Sequence, residues 1–206
     1  MGCGSSKIHS DSEKKHKSYN DHERQLTFNL DHHRIKRIPV LGDGNCLFYA
    51  LTYGLIHLIK SDSQSFGYAI GRKFQLYDHL HPTDFAYRLR QICVQQWKFQ
   101  KNFYSQFVIL HHSSFDDELW QFSQNGVYDS VLGDIVPLTI SNIFNVDILI
   151  FTSNSHLSRI QVQPMKGYTS SDIPPRSLFL AYNQYNAGHY DAAYPLPIES
   201  PGYKNN

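Results

Sequence analysis

At 206 residues with 41% hydrophobic side chains, the chain is long enough for one domain with a buried core plus tails, and too short for two full domains. Nineteen basic residues against 18 acidic ones leave a formal charge of +1, which gives no electrostatic case for a nucleic-acid partner or an acidic substrate. The cysteines Cys3, Cys46 and Cys93 are too few and too scattered for a disulfide framework or a paired-ligand metal site, and reduced thiols fit a cytoplasmic protein.

Residues 1–34 are polar and charged, with a Lys14-Lys15-His16-Lys17 run and almost no apolar periodicity, and they read as a disordered tail. The first residues, Met1-Gly2-Cys3-Gly4-Ser5-Ser6-Lys7, fit the pattern for myristoylation of Gly2, and Cys3 beside it is a candidate for palmitoylation. Two acyl chains, or one with the basic cluster, would hold the protein on the cytosolic face of a membrane. No apolar run is long enough to span a bilayer, and no apolar signal segment is present at the N-terminus.

From Arg34 the character changes. Ile35, Arg37 and Ile38 lead through Pro39 and Val40 to a turn, Leu41-Gly42-Asp43-Gly44-Asn45, and Cys46 then opens a run with helical spacing, Leu47, Ala50, Leu51, Gly54, Leu55 and Leu58. Gly42 and Gly44 permit positive φ, while Asp43 and Asn45 can bond nearby backbone N–H groups and cap the helix. Cys46 is therefore expected at a helix N-terminus, where free N–H groups and the macrodipole favour a thiolate and could hold an oxyanion. A small, buried structural cysteine fits the same residues equally well.

Residues 61–71 read as a connection. Thr83 and Asp84 then open a long helix with Phe85, Leu89, Ile92, Cys93, Gln96 and Trp97 on one face, so Cys93 is expected to be buried and inert. Residues 103–110 continue as helix or as a buried segment. His111-His112 point apart on either a helix or a strand and make no metal pair. Asp116-Asp117-Glu118 suits the dipole of a helix carrying Leu119, Trp120 and Phe122. After Gly126-Val127-Tyr128-Asp129, a helical pattern from Val131 to Ile143 is either kinked by Pro137 or begins at it. Asp147 to Phe151 has the composition of a buried strand, residues 159–163 form a weaker one, and residues 167–175 are a loop. Ser177 to Tyr182 and His189 to Tyr194 should pair as a hairpin, and residues 196–206 form a second tail.

In such a strand His189 and Asp191 share a face, so the carboxylate can orient the imidazole, expected through Nδ1 with Nε2 left for the thiol. With Cys46 they make a nucleophile, a base and an orienting acid; Asp43 is the second candidate acid.

The stretch Asp43-Gly44-Asn45-Cys46-Leu47-Phe48, together with Gly188-His189-Tyr190-Asp191 near the end of the domain, resembles the ovarian tumour (OTU) family of cysteine proteases over roughly residues 35–195. The resemblance implies an α/β (α+β) cysteine protease fold, a small central sheet flanked by helices. It further implies Cys46, His189, Asp191 and Asp43 as catalytic residues, an oxyanion site in the turn Asp43, Gly44, Asn45 and Cys46, and ubiquitin or polyubiquitin conjugates as partners. The expected activity is hydrolysis of the (iso)peptide bond after ubiquitin or a similar modifier, without metal or organic cofactor. Other outcomes of the same fold are a peptidase acting on another protein and a membrane-tethered module that binds ubiquitin without cleaving it. The Trp-Gly pair usual in the family before its later helix is replaced by Gly126-Val127-Tyr128.

Overall fold

The computed structural model describes residues 6–109, 113–128, 130–165 and 175–197. Its centre is a five-stranded sheet in the order β1 (Ile35–Ile38), β5 (His189–Pro195), β4 (Arg176–Asn183), β2 (Val146–Thr152), β3 (Arg159–Val162). All neighbours are antiparallel except β4 and β2, which run parallel. The expected hairpin is present as β4 and β5, in a register that sets Asn183 opposite His189 and Ala181 opposite Asp191.

Because side chains alternate along a strand, the two faces of this sheet collect different residues. One face takes Ile148, Ile150, Leu178, Leu180 and Ala192, and packs under α2 (Cys46–Ser61) and α4 (Pro82–Phe99), which contribute Leu47, Leu51, Leu55, Leu89 and Trp97. A Cβ at Gly54 would stand 2.7 Å from Leu178 Cγ, so glycine lets α2 lie directly on β4. The remaining helices finish this larger core: α3 (Tyr68–Phe74), α5 (Lys101–Tyr104), α6 (Phe115–Phe122) and α7 (Val136–Phe144). Ser114 and Asp117 close a capping box on α6, and Pro137 lies in the first turn of α7, where its missing N–H has no helical partner to lose.

The other face is covered by α1 (Ser6–His32), and from residue 6 onward this corrects the disordered tail expected over residues 1–34, the first five of which lie outside the described residues. Leu26 and Leu30, four apart and buried, meet Ile35, Phe151, Ala181 and Ala193. Polar groups fix the helix as much as these leucines do. Asn29 Nδ2 donates to the carbonyls of Thr152 (2.7 Å) and Asn154 (3.2 Å), His22 Nδ1 lies 2.9 Å from Ser153 Oγ, and Glu23 receives Arg37 and Asn183. An apolar stripe only two residues long carries no periodic signal, which is why the sequence read as a tail.

Smaller differences fall in the connections. Residues 61–71 contain a π-turn, Ser63–Gly67, and the start of α3, pinned by Asp62, whose carboxylate accepts from Ser65 N and pairs with Arg176. Of the segment 103–110, the described residues 103–109 hold the end of α5 and one 3₁₀ turn, Ser105–Phe107. Gly2, Cys3, His111-His112 and the last nine residues, 198–206, lie outside the described residues, as does most of the 167–175 loop. Among the described residues no helix is long and apolar enough to cross a membrane.

Candidate active site

Cys46 is the first residue of α2 and is 7% exposed. The turn before it is held from inside. Asp43 Oδ1 accepts from Asn45 N (3.0 Å) and Oδ2 from the Tyr49 hydroxyl (3.2 Å), while Gly44 takes φ +82°. A Cβ at Gly44 would stand 1.9 Å from the Gly126 carbonyl oxygen, so only glycine fits where the two turns touch. Asn45 occupies the N-cap position without capping the helix through its side chain. Its Oδ1 accepts instead from Arg90 Nη2 (2.9 Å) and Gly126 N (3.3 Å).

Arg90, fully buried on α4, is the anchor of that turn. Its guanidinium lies between the Phe48 and Phe122 rings, 4.6 and 4.7 Å from their centroids. It donates to the carbonyls of Gly44 (3.1 Å), Phe122 (2.9 Å) and Val127 (2.5 Å). Burial lowers its pKa to about 10, which still leaves it charged at neutral pH.

His189 opens β5. Its Nε2 lies 3.1 Å from Asp191 Oδ1, and because an ionised carboxylate only accepts, Nε2 carries the proton in the neutral ring and Nδ1 is left bare. The two ring nitrogens thus exchange the roles expected from the sequence. The Nδ1 and Cε1 edge lies over Gly42, both atoms 3.5 Å from where a Cβ would be. Asp191 is 1% exposed, with Val40 N on Oδ1 (2.8 Å) and Arg37 Nε on Oδ2 (2.5 Å). Asp43 is bonded within its own turn and makes no described hydrogen bond to His189.

Cys46 and His189 border one groove of about 870 Å³, whose other wall carries Glu118, Tyr128, Ser130 and Asp134. The backbone N–H of Tyr190, the residue after His189, faces the Cys46 sulfur closely enough to lower its pKa. The thiol is not the lowered one expected from a helix start. Burial pushes its pKa up, the N–H groups of Tyr190 and Leu47 pull it back, and the Asp191 and Asp43 carboxylates push it up again. A thiolate here needs a cation beside it, and His189 is the group on this groove that can supply one. Cys93 is fully buried in α4 with its pKa raised by burial and is inert.

The fold and this site define the class: a mixed α/β fold with a cysteine at a helix start and a histidine at the head of a neighbouring strand, resembling an OTU domain. The solved OTU domain of OTUD1 is similar to it with a TM-score of 0.55 at 17% sequence identity, over 85% of this chain and 96% of that one. No family model and no curated protein matches the chain.

Arg37, Glu23 and Arg90 escaped the sequence reading. Arg90 had a signal: it follows Ala86 by four residues and precedes Cys93 by three, a charge inside an apolar stripe. Arg37, in a four-residue edge strand, had none.

Proposed function

We propose that the protein is a cysteine-dependent deubiquitinase, cleaving the peptide or isopeptide bond after the C-terminus of ubiquitin or a ubiquitin-like modifier. The reading is carried by one observation: Cys46 and His189 border the same groove, with His189 held by a buried carboxylate, on an OTU-like fold. The Cys46 proton passes to the bare Nδ1 of His189, and the imidazolium is stabilised by Asp191 through Nε2–H. The thiolate attacks the carbonyl carbon. The candidate oxyanion donors are the N–H groups of Gly44 and Cys46, since that of Asn45 is engaged by Asp43. His189 gives its proton to the departing amine, a thioester remains, and water deprotonated by His189 releases the carboxylate and restores the thiol. Glu118 and Asp134 give the groove a negative wall suited to a basic extended segment.

A ubiquitin C-terminal electrophile tests this directly. One adduct per chain on Cys46, abolished in Cys46→Ala, is expected. Capture by a ubiquitin-like probe instead names that modifier; a chain captured by neither class of probe that cleaves some other protein is another peptidase of this fold, and retained binding without an adduct identifies a binding module.

From Gly2 and Cys3 alone we also propose attachment to the cytosolic face of a membrane by acylation. Gly2→Ala should move the protein to the soluble fraction of cells; an unmodified Gly2 in the intact mass of native protein overturns this.

A further inference from the structure

The structure assigns Glu23 and Arg37 as positioning residues for the His189–Asp191 pair, so that α1 completes the catalytic centre from the opposite side of the sheet. The assignment rests on the proposed catalytic reading of Cys46 and His189, and it concerns groups outside that reading.

A carboxylate 1% exposed must have its lost hydration replaced. Asp191 is served at Oδ1 by Val40 N and His189 Nε2, and at Oδ2 by Arg37 Nε. The far edge of the same guanidinium goes to Glu23, with Nη1 at 2.7 Å and Nη2 at 3.4 Å. Glu23 accepts in turn from Asn183 Nδ2, and Asn183 stands opposite His189 in the β4–β5 ladder. A line of alternating charge therefore runs from α1 through β1 to β5 and closes beside the base. Only a planar fork can serve two carboxylates on different edges at once, which is the reason for arginine at position 37.

Docking α1 would require only the Glu23–Arg37 pair. The Nε bond goes further, to the carboxylate that holds the imidazole, so Arg37 fixes where Asp191 points. It also offsets part of the negative potential that stabilises the imidazolium, and Glu23 restores that part. The two side chains therefore bias His189 in opposite directions, which a purely structural role does not predict.

The experiment follows the His189 ionisation in two ways: the acid limb of kcat/KM on a ubiquitin substrate, where protonation of the base removes activity, and NMR titration of the His189 ring nitrogens in substrate-free protein. Glu23→Gln should lower both by about 0.5 unit. Arg37→Gln should raise both by a similar amount while kcat falls roughly tenfold or more, because Asp191 Oδ2 is no longer held. Arg37→Lys should leave the titration near its original place, since the cation remains, but lower kcat because an ammonium lacks the fork. The other ionisable groups around His189, namely Cys46, Asp43, Glu118, Asp134 and the tyrosines Tyr128, Tyr182 and Tyr190, are common to every variant and cancel in the comparison. If both glutamine variants leave the titration unmoved, or move it the same way, Glu23 and Arg37 merely dock α1. Should Arg37→Gln fail to fold, the Glu23→Gln decrease and the unchanged Arg37→Lys titration decide the matter. A chain that cleaves no substrate of ubiquitin or of a ubiquitin-like modifier overturns the proposed function without affecting the NMR readout, whereas an active enzyme with an unmoved titration overturns the assignment alone.

Discussion

The two faces of the sheet meet at Cys46 and His189 but are built by different means. On the α2 side Cys46 is placed by a large apolar core, in which Leu47, Leu51 and Leu55 repeat at helical spacing and Gly54 lets the helix approach β4. On the α1 side the acid is placed by polar bonds: Asp191, Arg37, Glu23, Asn183 and Asn29 do most of the joining around a small group of apolar contacts. Apolar packing fixes a helix axis to within its groove, while charge-assisted hydrogen bonds fix individual atoms. The division matches what the proposed chemistry needs, a sulfur at the right depth and an imidazole at the right angle.

The sharpest test of that division compares the two acids. Asp191→Asn should lower kcat by about 10²–10⁴, the range expected when an orienting acid is lost, and move the acid limb of kcat/KM downwards as the imidazolium loses its partner. Asp43→Asn keeps an oxygen acceptor for Asn45 N and should cost roughly tenfold or less, with the limb in place. A larger limb shift in Asp43→Asn than in Asp191→Asn would exchange their roles.

Next in size is the nucleophile turn. Gly44→Ala drives a Cβ into the Gly126 carbonyl and requires positive φ, so the turn must move; a displacement near 1 Å costs on the order of 10²-fold in turnover. Gly42→Ala makes only ordinary contact with the His189 ring at 3.5 Å and should stay within a few fold of wild type. Equal losses in the two variants would mean that the Gly44–Gly126 contact does not set the site.

The contrast between the faces also explains what was legible in the sequence. Helix α2, the long helix with Cys93 inside, the β4–β5 hairpin and the shared face of His189 and Asp191 all follow from repeats of 3.6 or 2 residues, because apolar cores leave periodic marks. The α1 face left none. Glu23, Asn29 and Arg37 look like solvated polar residues until the strand they bond is in place, and those partners are 14 to 160 positions away. The ring-nitrogen exchange in His189 was equally hidden, since spacing places the imidazole on a face but does not choose which edge turns toward the carboxylate.

Core deletions on the two faces should separate stability from catalysis. Leu26→Ala and Leu51→Ala each remove a fully buried leucine and should each cost about 2–5 kcal/mol in denaturant unfolding. Their kinetic consequences should differ. Loosening α1 withdraws Glu23 from Arg37, so Leu26→Ala should lower the acid limb as Glu23→Gln does, while Leu51→Ala should leave it in place. The same limb in both variants would show that the α1 core does not transmit to Asp191.

The smallest expected effect is the acid dependence of stability on the α1 face. Burial alone would raise the Glu23 pKa, but hydrogen bonds from Arg37 and Asn183 outweigh it and hold it below the ordinary 4.5. A carboxylate with a depressed folded-state pKa binds protons more readily when unfolded, so its contribution is complete above the unfolded value and disappears as pH falls through the folded one. Glu23 is partly exposed, with 27% of its side chain accessible, so screening keeps this contribution below about 1 kcal/mol. Glu23→Gln does not titrate. The stability difference between wild type and variant should therefore be constant from pH 7 to about 5, then shrink as pH falls below the unfolded value of roughly 4.3–4.5. Asp62 and Asp117, whose pKa values are also lowered, are common to both proteins and cancel in the difference. Urea unfolding of the pair at intervals between pH 7 and pH 3 reads it directly. A difference that stays constant to pH 3 would mean that Glu23 is no better paired in the folded chain than in the unfolded one, and the polar account of how α1 docks would fail at its central contact.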